Sequence, residues 1–150
     1  HIVIDATGAV TKPLQPAFNV DKDGTGQATS GSATDLTWSN EVFDLNADMG
    51  ATSFTAPVAG KYFFLARVRW GITDGDDKFA VNIVTSNRSY NNSVNALPGL
   101  TNADIGVFTA DVSAVADMDA SDTAKVAVDL ADRECSGVTT YTRFMGYLIA

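Results

Sequence analysis

The sequence predicts an all-β domain, and three observations support this. Sixteen of the eighteen acidic residues are Asp, and Asp favours turns over helix interiors because its short side chain competes for backbone hydrogen bonds. Sixteen Thr and fifteen Val residues add a high β-branched content, which is typical of strands. Apolar and polar residues alternate in several short segments separated by turn residues, so a β-sandwich or a β-barrel is expected.

The alternating segments can be placed in order along the chain. Residues 21–35 are rich in Gly, Ser, Thr and Asp and predict a long loop near the start. In residues 61–70, aromatic and small apolar residues fall on one face, while Arg67 and Arg69 fall on the opposite face. Further strands are predicted over residues 79–84, 124–130 and 141–149, a turn at Asn91-Asn92, and a helical turn only in residues 114–120.

Size and charge limit the possible partners. A chain of 150 residues has the length of a single domain and can bury roughly 68–70% of the surface that its unfolded form exposes. Its apolar runs are too short to cross a bilayer. The formal net charge is −8 and the pI is about 4.3, and such a surface repels phosphate backbones and anionic lipids. We therefore expect no nucleic-acid partner and no membrane partner.

The residue inventory argues against an enzyme. The chain has one cysteine, Cys135, and one histidine, His1, which exclude an intrachain disulfide, a Cys/His zinc site and a catalytic Ser-His-Asp or Cys-His arrangement. Sixteen Asp residues place some carboxylates close together by chance, so a glycosidase pair is not inferred from them. Cys135 is interpreted as an incidental thiol, because no second histidine is present to activate it.

One run of residues resembles a known family. Residues 54–64 contain, in order, an aromatic residue, Thr-Ala-Pro, a small apolar pair, Gly and an aromatic strand. This order resembles the central signature of the complement-one-q globular-head family. Four further landmarks, near residues 16–18, 42–44, 118–123 and 144–148, occur in the family's order, with Ser121 where Gly is commoner. The resemblance covers residues 14–150 and implies an antiparallel jelly-roll β-sandwich of about ten strands, of the complement/tumour-necrosis-factor type. Such domains usually assemble as homotrimers.

A second resemblance concerns residues 11–18, which look like the approach to such heads in bacteriophage fibre and other virion proteins. It implies that residues 1–13 lead in from an upstream shaft or anchor, and that other virion proteins are partners through that upstream region. The implied function is a non-enzymatic trimeric head of a viral (phage) fibre or spike, at the virion surface, that binds a host-surface glycan or protein by avidity. Alternatives are a purely structural capsid-decoration or fibre-capping trimer, a secreted complement-type recognition protein and, least favoured, a depolymerase.

Two acidic segments are candidate calcium sites. Asn19, Asp21, Asp23 and Thr25 carry oxygen atoms at alternate positions near a glycine, which is the spacing of a calcium loop. Ser30 stands where a bidentate Glu is expected, and a solvated Asp-Gly turn is the simpler interpretation. The second candidate segment comprises Asp74, Asp76 and Asp77. Calcium is therefore a possible cofactor of this chain, and no other cofactor is predicted.

Residues 85–93 form the candidate ligand-binding segment. A tyrosine ring can stack on the apolar face of a sugar while Asn, Ser and Arg side chains bind its hydroxyl groups. An ordinary polar strand end is the alternative. Trp38 and Trp70 are expected in the core or in a trimer interface. The candidate ligand-binding residues are Asn87, Arg88, Tyr90, Asn91 and Asn92.

Overall fold

The computed structural model describes residues 2–4, 6–29, 32–71, 78–95, 106–130 and 134–150. In these residues fourteen strands form, all paired antiparallel, and no helix is present. The described residues therefore contain no helix that could cross a membrane. The strands are β1 (Val3–Ile4), β2 (Val10–Thr11), β3 (Ala17–Asp21), β4 (Gln27–Ala28), β5 (Thr34–Asp35), β6 (Asn40–Asp44), β7 (Ser53–Thr55), β8 (Gly60–Gly71), β9 (Lys78–Thr85), β10 (Ser89–Asn95), β11 (Val107–Met118), β12 (Thr123–Leu130), β13 (Glu134–Cys135) and β14 (Arg143–Leu148).

Two sheets pack face to face as a sandwich. In the larger sheet, β8 pairs along its whole length with β11 on one edge. Its other edge pairs with β14 and, further along, with β13, and the sheet continues through β3 to β6. The smaller sheet has the order β10-β9-β12, with β5 and β7 both pairing with β12. The hairpin β1–β2 stands apart as a two-stranded sheet.

The core lies between the two inner faces and is rich in aromatic rings. Strand β8 alternates as the sequence predicts, so that Tyr62 and Phe64 are fully buried while Arg67 and Arg69 lie on the outer face. Phe64 is stacked with Tyr62 and with Phe144, at centroid distances of 6.1 and 5.8 Å. Trp38 and Trp70 are buried in the same cluster, which confirms their placement in the core.

The helical turn predicted in residues 114–120 is wrong. Residues 114–118 belong to β11, whose Ala114 and Ala116 face the core while Val115 and Asp117 are exposed. Small alanine side chains favour helices in isolation. Here, pairing with twelve residues of β8 outweighs that local preference.

Two other local predictions also need correction. Asn91 and Asn92 do not form a turn, because they lie within β10 and pair with β9. The long loop predicted over residues 21–35 is interrupted by the two short strands β4 and β5. Within this segment Lys22 is buried, and its ammonium group donates to Gln27 Oε1 at 2.8 Å and to the Thr37 carbonyl at 2.5 Å. Burial lowers the pKa of Lys22 below its ordinary value.

Candidate functional site

The edges of the two sheets meet where β10 lies beside β11. Among the described strands, β11 pairs only with β8, so its second edge has no strand partner. Side chains of the β9–β10 hairpin occupy this edge instead. Asn87 Nδ2 donates to the Asp117 carbonyl at 3.2 Å, Tyr90 Oη to the Val115 carbonyl at 3.4 Å and Asn92 Nδ2 to the Asp111 carbonyl at 2.5 Å. These hydrogen bonds satisfy backbone groups that a neighbouring strand would otherwise satisfy.

A cleft of about 570 Å³ opens at one end of this junction, and we call it the edge cleft. Its charged groups include an ion pair in which Lys61 Nζ lies 2.6 Å from Asp117 Oδ2. Its apolar wall is made by the ring of Tyr90 together with Val115 and Met118. Asn87, Arg88 and Asp119 complete the lining.

Hydrogen bonds hold the base of the edge cleft in place. Asn87 Nδ2 also donates to Asp122 Oδ2 at 2.7 Å, and the same oxygen accepts from the backbone N–H of Asp119 at 2.9 Å. In the described part of the chain, the guanidinium group of Arg88 and the carboxylate of Asp119 form neither a hydrogen bond nor an ion pair. Arg88 therefore offers a charged donor group to a ligand, and Asp119 offers a charged acceptor group.

The structure separates the five predicted ligand-binding residues. Asn87, Arg88 and Tyr90 line the edge cleft. Asn92 faces β11 further along, and Asn91 is exposed on the outer face of the smaller sheet, opposite Asn82 in the register.

The sequence pattern over residues 85–93 does not contain the other half of the cleft. Lys61, Asp117 and Asp119 lie at the start of β8, at the end of β11 and in the turn that follows β11. These residues are distant from residues 85–93 in the chain, and the pairing of β8 with β11 brings them together. A sequence signal was nevertheless present, because the turn over residues 118–123 is one of the family landmarks.

The segment predicted to be a calcium loop begins in a strand. Asn19 and Asp21 lie in β3, which pairs with β14 on one side and with β6 on the other. An extended strand does not wrap its side chains around one cation, as a calcium loop must. Asp21 Oδ1 accepts from Asn40 Nδ2 at 2.6 Å. In the described residues, no group of three or more His, Cys, Asp or Glu side chains is placed to hold a metal ion.

Asp23 and Thr25 form the turn that follows β3. Asp23 Oδ1 accepts from the Thr25 backbone N–H at 3.0 Å, and this hydrogen bond holds the pKa of the Asp23 carboxyl below its ordinary value. This is the Asp-Gly turn of the simpler interpretation. Ser30 and the second calcium candidate, with Asp74, Asp76 and Asp77, lie outside the described residues. Calcium binding stays a prediction.

The outer face of the larger sheet carries a second unusual surface. Phe63, Leu65, Val115, Met145 and Tyr147 are register neighbours on this face, and we call them the apolar belt. The rings of Phe63 and Tyr147 are in contact, with centroids 5.4 Å apart. Val115 is 55% exposed and Tyr147 is 43% exposed. The belt is contiguous, which distinguishes it from single exposed apolar residues.

Polar rows flank the apolar belt on both sides. One row is the Lys61–Asp117 ion pair. In the other row, the Arg67 guanidinium donates to both carboxylate oxygens of Asp111, at 2.7 and 2.9 Å. These hydrogen bonds hold the pKa of the Asp111 carboxyl below its ordinary value. Near this row, Arg143 Nε and Asn19 Oδ1 are buried and have no hydrogen-bond partner among the described residues.

The single thiol is poorly placed for chemistry. Cys135 is fully buried beside Trp70, its partner in the strand register. Burial raises the pKa of the Cys135 thiol to about 12. Because the thiolate is the nucleophilic form, this thiol is unreactive at neutral pH.

The strand order and the two antiparallel sheets define a jelly-roll sandwich of the complement/tumour-necrosis-factor type. The globular domain of zebrafish complement 1qA protein has this fold, with a TM-score of 0.65, 19% sequence identity and coverage of 91% of this chain and 98% of that chain. Murine APRIL at pH 5.0 gives a TM-score of 0.66 at 11% identity, covering 90% of this chain and 99% of that chain.

No protein-family model matches the chain, and a search of curated proteins also finds no match. At these sequence identities the structural likeness establishes the fold alone. It confirms the all-β jelly roll that the run over residues 54–64 predicts.

Proposed function

We propose that this chain is a non-enzymatic recognition head that assembles as a homotrimer through the outer face of its larger sheet and binds a host-surface receptor at its edge cleft. The observation that carries the proposal is the apolar belt. A contiguous, exposed apolar surface is typical of an interaction site, and it is unfavourable on a chain that remains monomeric.

The polar rows around the belt support assembly on this face. The Lys61–Asp117 and Arg67–Asp111 ion pairs flank the belt and are partly exposed. An apolar centre with a polar rim is typical of protein–protein interfaces. The resemblance to complement-type heads gives three as the expected number of chains. A trimer would present three edge clefts together, and avidity of this kind raises apparent affinity by ~10²–10⁴.

The size of the assembly tests the proposal. Light scattering on the purified chain should give three times 15.8 kDa. Val115→Glu places a charge in the apolar belt and should yield a folded monomer, because three buried carboxylates would be brought close together. Val58→Glu is the matched control, since Val58 is 47% exposed in the turn between β7 and β8. A monomeric wild-type chain, or a trimer unaffected by Val115→Glu, would contradict the proposal.

For the biological setting, we propose the head of a viral fibre or spike at the virion surface. The support is the run over residues 11–18, which resembles the approach to virion heads. A secreted complement-type recognition protein is the second candidate, and the likeness to the zebrafish complement domain favours it. The sequence of the full gene product separates the two: a tail-attachment region indicates a fibre, whereas a signal peptide with Gly-X-Y repeats indicates the complement type.

A further inference from the structure

The edge cleft is close to neutral on a strongly acidic protein. Lys61 and Arg88 bring two positive charges to its lining, and Asp117 and Asp119 bring two negative charges. The whole chain has a formal net charge of −8. An anionic ligand would therefore meet two carboxylates in the cleft and a repulsive field around it. A cationic ligand would be attracted by that field but would meet the two cations in the cleft itself.

Arg88 and Asp119, which have no side-chain partner in the described part of the chain, match hydroxyl chemistry. Arg88 offers up to five N–H donors in a planar group, and the carboxylate of Asp119 is an acceptor only. A sugar hydroxyl both donates and accepts, so two neighbouring hydroxyl groups can bind such a donor and such an acceptor together. Recognition of this kind needs no net charge on the ligand.

The apolar wall suits the C–H face of a sugar ring. Tyr90 is half-buried, and its hydroxyl lies 3.4 Å from the Val115 carbonyl oxygen, so packing and this weak contact restrict the ring. A ring that is ordered before binding loses little entropy when a ligand stacks on it.

A peptide strand fits this edge less well. Addition of a strand to a sheet edge needs free backbone groups on that edge. The carbonyls of Asp111, Val115 and Asp117 on β11 already accept side-chain hydrogen bonds from Asn92, Tyr90 and Asn87.

From these observations we propose that the edge cleft binds an uncharged saccharide, with the ring of Tyr90 against one sugar face and with Arg88 and Asp119 bound to its hydroxyl groups. This inference rests on the recognition function proposed above. It adds the chemical class of the ligand, and it predicts that acidic saccharides bind less well than their neutral counterparts.

The test is binding of the wild-type chain to an immobilised set of neutral oligosaccharides and to carboxylated and sulfated derivatives of the same oligosaccharides. We expect binding to neutral members. Each of Arg88→Ala and Asp119→Asn should weaken that binding at least about tenfold, because each removes a charged hydrogen-bonding group from the cleft. Asp129→Asn, on the outer face of the smaller sheet, and Lys125→Ala, which loses only the surface pair with Asp35, are the controls.

Light scattering on every variant separates the two proposals. If the variants and the wild type remain trimeric but bind no neutral saccharide, or bind only acidic ones, the saccharide inference is overturned while the assembly proposal stands. Binding that is unchanged by Arg88→Ala and Asp119→Asn also overturns the inference. If the wild type is monomeric, the proposed assembly fails, and binding by the single chain still decides the chemistry of the cleft.

Discussion

Gly146 lies directly against the ring of Phe64 in the core. A Cβ atom at position 146 would come within 2.5 Å of Phe64 Cδ1 and within 2.8 Å of Phe18 Cε1. Both rings are almost completely buried and are held by other rings, including that of Phe144. The space between β14 and the aromatic core is therefore filled, and it fits a residue without a side chain.

Gly146→Ala should destabilise the domain by about 1–3 kcal/mol, because the added methyl group overpacks a core whose rings have no room to move. Urea denaturation monitored by tryptophan fluorescence measures the change. Gly71→Ala is the control, since the nearest atom to a Cβ there is the Gly106 carbonyl oxygen at 3.9 Å. Equal stability of the two variants would show that the core adjusts to the methyl group.

Ser121→Gly should stabilise the domain by up to about 1 kcal/mol. Ser121 has a φ of 77° in the turn between β11 and β12, and left-handed backbone costs roughly 1–2 kcal/mol in a residue with a side chain. Glycine removes this strain but adds freedom to the unfolded chain, so only part of the cost is recovered. The control is Ser89→Gly, at the start of strand β10. Because glycine there only increases the conformational entropy of the unfolded chain, the midpoint of unfolding should fall. A lower midpoint for Ser121→Gly as well would contradict the strain argument.

Asp111→Asn should lower stability at neutral pH and have no effect in strong acid. The pKa of Asp111 is lowered in the folded state, mainly by its hydrogen bonds from Arg67. A lowered carboxyl pKa stabilises the fold above the unfolded-state pKa, and this contribution is lost as the pH falls through the folded-state pKa. Both side chains are partly exposed, so the difference at pH 7 should be at most about 1 kcal/mol.

Unfolding free energies of the wild type and Asp111→Asn, measured from pH 7 down to pH 2, give the required profile. The two curves should converge in acid, and added salt should reduce their separation at pH 7. A constant separation at all pH values would mean that the substitution removes packing rather than a charge interaction. Asp129→Asn, on the opposite sheet, serves as the control for removing an acid from a protein with a net charge of −8.

Much of the fold could be predicted from local patterns. The alternation around Tyr62 and Phe64 places β8 correctly, and Ser121 marks a turn that favours glycine. The strand over residues 114–118 was not predicted, because its alanine residues do not favour a strand by themselves. These residues form a strand because they pair with β8, which lies more than forty residues earlier in the sequence. Strand pairing over such distances is a tertiary effect that a short window does not contain.

The apolar belt and the candidate sites were harder to predict, for reasons that differ between them. The apolar belt did have a signal: residues 62–65 are apolar without interruption, and an unbroken apolar run is typical of a strand that is covered on both faces. In the edge cleft, Arg88 was predicted from the pattern of residues 85–93, but Asp119 was not, because it lies in the turn between β11 and β12. For the calcium loop, Phe18 and Val20 alternate with Asn19, which is the pattern of a strand as much as that of an oxygen-bearing loop.

The position of β14 has a consequence for how the chain is made. This strand lies between β3 and β8 and pairs with both, although it follows every other strand in the sequence. During synthesis, neither β3 nor β8 has its β14 partner until residue 148 is available, so aromatic surface stays uncovered in the nascent chain. Pairings that close late and over long distances fold slowly and leave intermediates prone to aggregation. Premature termination anywhere before Arg143 should therefore yield insoluble product rather than a smaller folded domain.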